Sequence, residues 1–210
     1  MIFRKFFPHK PDKDPAPEAS TPDNLPLETQ LENLSELGIK LKKGLSAEDL
    51  LKSFDRDEYE ANPYKLLLCV MGASQEVEPY GDFSDDVYHL DTECIENQGD
   101  YVKVAEKIIR LTGGKLAVME LEDEIDHNDG KARLSFKIGE HKYDWQATVN
   151  DDWLDPAILA RFAMLAREHK LDKPFCCHYF EGQDCLLTCM NESDMARLTE
   201  LTGLKFNWLE

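Results

Sequence analysis

The chain has 210 residues, of which 42% are hydrophobic and 10% aromatic, enough apolar side-chain mass to bury a core and to argue against global disorder. Its 24 Lys and Arg stand against 42 Asp and Glu, a formal net charge of −18. That balance excludes general nucleic-acid binding, which needs clustered cations on phosphate, and docking on an anionic membrane surface; no apolar run approaches the roughly 18–20 residues of a spanning helix.

Residues 1–26 hold six of the ten prolines, at positions 8, 11, 15, 17, 22 and 26. Each fixes φ and removes a backbone donor, so this segment is expected to be a flexible tail. It opens on MIFRKFF, which either folds back onto the body or docks in a groove of a partner; the first is the expectation. Pro8, His9 and Lys10 stand where a signal peptide would continue with apolar residues, so a cytoplasmic location with reduced thiols is expected.

Leu27, Leu31, Leu34 and Leu37 share one helical face, and Gly38 supplies a stop. Ser46 and Asp49 have capping-box spacing ahead of Leu50, Leu51 and Phe54, which predicts a second helix. Residues 27–62 therefore form a short helical lead-in to a core over 63–210, the two making a single α+β body. The continuous apolar run Tyr64–Met71, ended by Gly72, reads as a central strand. Gly99-Asp100-Tyr101 opens a helix whose inner face is Val102, Ala105, Ile108 and Ile109, closed by Gly113-Gly114. Lys115–Leu121 is the next expected strand. Arg133–Ile138 and Lys142–Val149 alternate apolar and polar residues around Gly139-Glu140, a β-hairpin pattern.

Asp155-Pro156 marks a helix start, since Asp caps well and proline is pre-set for the first helical position. Ile158, Leu159, Phe162, Leu165 and Ala166 carry that helix toward His169. Pro174–Phe180 and Asp184–Met190 read as two strands, followed by a helix from Asn191 to Gly203 and an edge strand at Leu204–Leu209. The whole predicts an α+β fold: a mixed, largely antiparallel sheet with helices packed on one face.

Acid is distributed unevenly. Residues 76–100 contain nine Asp or Glu and no Lys or Arg, and the stretches 120–130 and 143–160 are also free of base. Like charges repel in a compact state, so unbalanced stretches exceed what solubility requires. A solvated acidic surface and a patch complementary to a basic macromolecule are the two readings. On the second, Asp82, Asp85, Asp86, Glu93, Asp151 and Asp152 engage Lys or Arg of a basic protein partner, with Trp153 or Tyr80 as an apolar anchor. Small acidic bacterial proteins that neutralise a basic toxin, typically a nuclease, share this profile of size and charge. The alternative is an enzyme or metal-binding protein whose carboxylates converge from the same stretches.

Chemistry-bearing motifs are sparse. Asp126-His127-Asn128-Asp129-Gly130 begins like a calcium loop, but Lys131 and Lys137 occupy the sixth and twelfth positions, where glycine and glutamate are required. It reads instead as a turn between strands. The six cysteines have no zinc-knuckle spacing and are expected to be buried and free. Neighbouring acids raise the pKa of Cys94, the reverse of what a nucleophile needs. Cys177 and His178 alternate across a strand, so with Cys177 in the core His178 is expected to face solvent. No phosphate-cradling loop or dinucleotide fingerprint is present. The sequence thus predicts a non-catalytic binding protein, with neither cofactor nor metal.

Overall fold

The computed structural model describes residues 24–75 and 81–210. The MIFRKFF segment, most of the proline-rich stretch and Tyr80 lie outside the described residues. Helix α1 (Leu27–Glu36) presents the expected leucine stripe, with Leu27 and Leu34 fully buried. Helix α2 (Ala47–Leu50) has its capping box formed by Ser46 and Asp49, and a second box at Asp55 and Glu58 starts α3 (Arg56–Ala61).

The apolar run from Tyr64 is not a strand but helix α4 (Lys65–Gly72), buried over most of its length. An eight-residue apolar run cannot be divided between buried strand and buried helix by periodicity alone. Composition tips it: Leu66, Leu67, Leu68 and Met71 favour helix, and Val70 is its one β-branched residue. The helix starts at Tyr64, held at φ 70°, a left-handed conformation costly for a residue of this size. Buried Gln30 holds it there. Its Oε1 accepts from Tyr64 N at 2.8 Å, while its Nε2 donates to the carbonyls of Leu25 at 2.8 Å and Tyr59 at 2.9 Å. One side chain thereby ties α1, α3 and α4 together, with every polar atom satisfied.

After α4 come a two-strand ribbon, β1 (Ser74–Gln75) with β2 (Gly81–Asp82), and then β3 (Val87–Asp91). Helix α5 (Asp100–Arg110) opens at Gly99-Asp100, as the sequence predicts, with Gly99 in a left-handed conformation. Strands β4 (Val118–Asp126), β5 (Lys131–Ile138) and β6 (His141–Thr148) form a three-stranded antiparallel sheet in that order. β4 starts later and runs further than the expected Lys115–Leu121, because the acids at 122, 124 and 126 take its exposed positions and a bulge between Met119 and Glu122 resets the register. The expected turn at Asp126–Gly130 forms, Asp126 Oδ1 accepting from the amides of Asn128 and Asp129.

Helix α6 (Pro156–Glu168) carries the predicted cap, Asp155 accepting from Ala157 N at 2.9 Å. β7 (Phe175–Tyr179) and β8 (Asp184–Cys189) follow. Helix α7 (Glu192–Thr202) runs from the Asn191 cap to a left-handed Gly203, and β9 (Asn207–Trp208) ends the chain as an edge strand. β3, β8, β7 and β9 pair antiparallel in that spatial order.

The α+β class with antiparallel sheets is therefore as the sequence indicates. This second sheet, however, is covered on both faces. Cys176 and Leu186 point into one core with Leu34, Leu67, Met71 and Leu198, whereas Phe175, Cys177 and Leu187 point into another with Ile108, Phe136 and Phe162. His178 consequently does not face open solvent. It lies half-buried between Phe180 and Phe206 and bonds the Lys205 carbonyl at 3.0 Å. In the larger core Phe136, Trp145 and Phe162 pack edge-to-face and stacked at centroid separations of 4.8–6.3 Å, linking the three-stranded sheet to α6.

Helix α4 meets β3 at Gly72. A Cβ there would lie 2.4 Å from the His89 amide nitrogen and 2.9 Å from the Tyr88 carbonyl carbon, so helix and strand require glycine at this crossing. Gly72→Ala is expected to destabilise the fold by about 1–3 kcal/mol through backbone overpacking. Urea denaturation checks it: an unchanged midpoint contradicts so close an approach.

Candidate functional site

The acids singled out in the sequence fall into two groups at opposite ends of β3. Five strand residues at roughly 3.3 Å each separate them by about 17 Å.

At the first end Asp82 is an internal hub, its side chain only 9% exposed. Its carboxylate pairs with Arg110 Nη1 at 2.7 Å and Lys107 Nζ at 3.0 Å, accepts from Ser74 Oγ at 2.6 Å, and has Lys42 Nζ at 3.9 Å. Lys107 also lies 4.8 Å from the Tyr88 ring centroid, a cation–π contact. Asp85 shares two of these cations, Lys42 at 2.9 Å and Arg110 at 3.8 Å. Asp86 is half-buried and accepts from the Lys40 amide at 3.0 Å; burial, with Asp85 nearby, pushes its carboxyl above the usual range. These three acids are thus largely committed within the chain. Their partners were missed in the sequence, although Lys107 and Arg110 stand three apart on one face of the predicted helix.

The second end is different. Ile95 N donates to the Asp152 carbonyl at 2.8 Å and Leu154 N to the Thr92 carbonyl at 2.7 Å, and Glu93 bridges Trp153 antiparallel. The segments 92–95 and 152–154 are therefore laid side by side, which unites Glu93, Asp152 and Trp153 from separate acidic stretches. Asp151 is exposed in the adjoining turn at φ 57°. Gln183 Nε2 steadies the edge of this seam, donating to Asp91 Oδ1 at 3.1 Å and Glu93 Oε2 at 2.9 Å. Among the described residues Asp91, Glu93, Glu96, Asp151 and Asp152 meet no Lys or Arg within ion-pair distance.

Several neighbouring acids are occupied structurally. Asp123 accepts from Gly99 N at 2.8 Å and Val102 N at 3.1 Å at the start of α5, and Asp100 accepts from Asn97 N at 2.7 Å and pairs with Lys103. Asp155 caps α6 and also accepts from Thr148 N at 2.8 Å. On the three-stranded sheet Glu120 pairs with Lys137, while Asp144 and Glu124 pair with Arg133.

The cysteines near this seam and in the sheet are not poised as nucleophiles. Burial first, and then Asp91, Asp100 and Asp152, push the Cys94 thiol up to about 12, and burial drives Cys177 to about 11 and Cys176 to about 12. Thiols so placed are poor nucleophiles at neutral pH. Among the described residues no three His, Cys, Asp or Glu side chains are grouped to hold a metal ion, and no helix is long and apolar enough to cross a membrane.

The Asp82 hub is open to test. Burial pushes its carboxyl up, but Ser74, Lys107 and Arg110 together hold it below its ordinary 3.8. A carboxyl lowered in the fold adds stability above its unfolded pKa, and that stability is lost as pH falls through the lowered folded value. Asp82→Asn is therefore expected to cost about 1–2 kcal/mol at neutral pH. The deficit should shrink in urea titrations taken below pH 3.8. A deficit independent of pH would show that the charge of Asp82 is not what the cations hold.

Compared with protein-family models, with curated proteins and with solved structures, the chain matches none.

Proposed function

We propose that this chain is a non-catalytic acidic binding protein that engages a basic protein partner through the seam at 91–96 and 151–153. The observation that carries the reading is the pairing of 92–95 with 152–154, which gathers, beside half-buried Trp153, carboxylates that pair with no Lys or Arg among the described residues. Several acids elsewhere are occupied: Asp123 and Asp155 hold helix starts, and Asp82, Asp85, Asp100 and Asp144 pair with Lys or Arg. Carboxylates with no local counter-charge keep their field for an incoming partner, raising the association rate and fixing its orientation. Trp153 offers the aromatic surface that commonly carries interface energy.

In its most concrete form the partner is a basic nuclease-type toxin and the chain a bacterial immunity protein that occludes its active site. Asp82, Asp85 and Asp86, held within the chain at the other end of β3, are not part of the proposed contact surface. A cytoplasmic setting is part of the proposal and accords with six free cysteines, three of them fully buried.

The test is capture on the immobilised chain from the source lysate at low salt, with elution on a salt gradient and mass spectrometry. The expected outcome is one basic protein eluting sharply and not retained by a Glu93→Gln/Asp151→Asn/Asp152→Asn variant. With that partner purified, Glu93→Lys/Asp152→Lys is expected to slow association at least about tenfold at low salt while the melting temperature barely moves. A partner held equally by the variant, or an on-rate insensitive to salt, overturns the reading.

A further inference from the structure

A hollow of about 200 Å³ opens where the two cores meet, at the Asp86 end of β3 and away from the acidic seam. Its walls come from the turn after α1 at 37–39, the segment after α5 at 111–115, the loop after α6 at 171–173 and the end of β8 at 188–190. Leu37, Ile39, Leu111, Leu171 and Met190 make an apolar lining. At roughly 30 Å³ per water the space equals about six or seven waters, which suits an occupant of about that many non-hydrogen atoms.

The polar groups around it are few and unequally used. Thr112 and Thr188 spend their hydroxyls internally, donating to the Ile109 carbonyl at 2.6 Å and the Asp86 carbonyl at 2.7 Å. Lys115 is paired with Asp172 at the rim. Asp86 accepts from the Lys40 amide with Oδ2, while its Oδ1 takes no hydrogen bond among the described residues. Lys173 has no ion pair or hydrogen bond among the described residues, and its Nζ lies 3.7 Å from where a Cβ on Gly38 would stand. Both lysines are close enough to act on the Cys189 thiol, and Lys173 also acts on Asp86.

A carboxylate oxygen and an ammonium that take no partner among the described residues thus border the same small, partly apolar space, with the Asp172-paired ammonium of Lys115 beside them. A lone anion such as phosphate would gain the lysines but face Asp86 as a like charge. A lone cation would meet the reverse conflict. We infer that the cleft binds an amino-acid-sized zwitterion, its carboxylate on Lys173 and Lys115 and its ammonium on the free oxygen of Asp86. Charge-assisted hydrogen bonds at both ends favour such a ligand, and its small side chain meets Leu111, Leu171 and Met190. The cleft is independent of the partner-binding seam, so either reading stands without the other.

Titration calorimetry on the full chain tests this, with the small zwitterions glycine, L-alanine, β-alanine and L-serine as probes and acetate and inorganic phosphate as comparisons. The expected result is saturable binding of at least one of the four amino acids, with acetate and phosphate binding more weakly. Lys173→Met and Asp86→Asn should each weaken that binding roughly tenfold or more, and Lys142→Met on the far sheet should leave it unchanged. Lys173 is exposed, so its replacement probes the cleft without disturbing either core. Failure of all four amino acids to bind, equal binding of phosphate or acetate, or unchanged affinity in both cleft variants overturns the inference.

Discussion

Strands with apolar side chains on both faces cannot remain half-covered, and this requirement organises the molecule. β7 and β8 send Cys176 and Leu186 one way and Cys177 and Leu187 the other. Leaving either set in water would forfeit about 1.5–3 kcal/mol for each large side chain. The chain meets the demand with two different covers. Helices α1, α4 and α7 close one face, and α5, α6 and the three-stranded sheet close the other. The close crossing of α4 over β3 at Gly72, and the Gln30 clasp that fixes the start of α4, follow from bringing the first cover down onto the sheet.

The two-faced sheet also explains which parts of the fold were legible in the sequence. Elements announced by local chemistry form where the sequence places them. Asp155-Pro156, the Ser46–Asp49 box, the Asn191–Gly203 helix and the Gly139-Glu140 hairpin each depend on residues within a few positions of one another. What escaped was decided at long range. Tyr64–Met71 is apolar enough for either a strand or a helix; its leucines lean toward helix, and packing over β3 fixes it there. β3 was obscured for a related reason: Val87, Tyr88, His89, Leu90 and Asp91 show no clean alternation, because both faces of the strand are buried over most of its length.

The candidate site was legible in composition and illegible in assignment. The sequence shows where acid accumulates, but it does not show what each acid does. Asp82 and Asp123 sit in base-free stretches, yet one gathers cations from α5 and the other caps that same helix from β4. Both partnerships join residues more than 20 positions apart. The meeting of Glu93 with Trp153 spans still more of the chain and rests on a bridge of irregular backbone between named strands. Base-free runs are therefore weak guides to an exposed patch, and the internal cations must be subtracted first.

That subtraction gives the surface a direction. The cations near β3, Lys42, Lys107 and Arg110, collect around Asp82 and Asp85, and Lys115 and Lys173 border the cleft beyond Asp86. At the opposite end, Asp91, Glu93, Asp151 and Asp152 meet no such cation among the described residues. A net charge of −18 spread evenly would repel like charges everywhere and orient nothing. Around β3 the described acids at one end are paired with cations and those at the other are not, so the local field differs between the two ends. Exposed charges act over about one Debye length, roughly 8 Å at physiological salt. The separation of about 17 Å between the two ends exceeds that range, so the cations around Asp82 and Asp85 do little to screen the acids at 91–96 and 151–152.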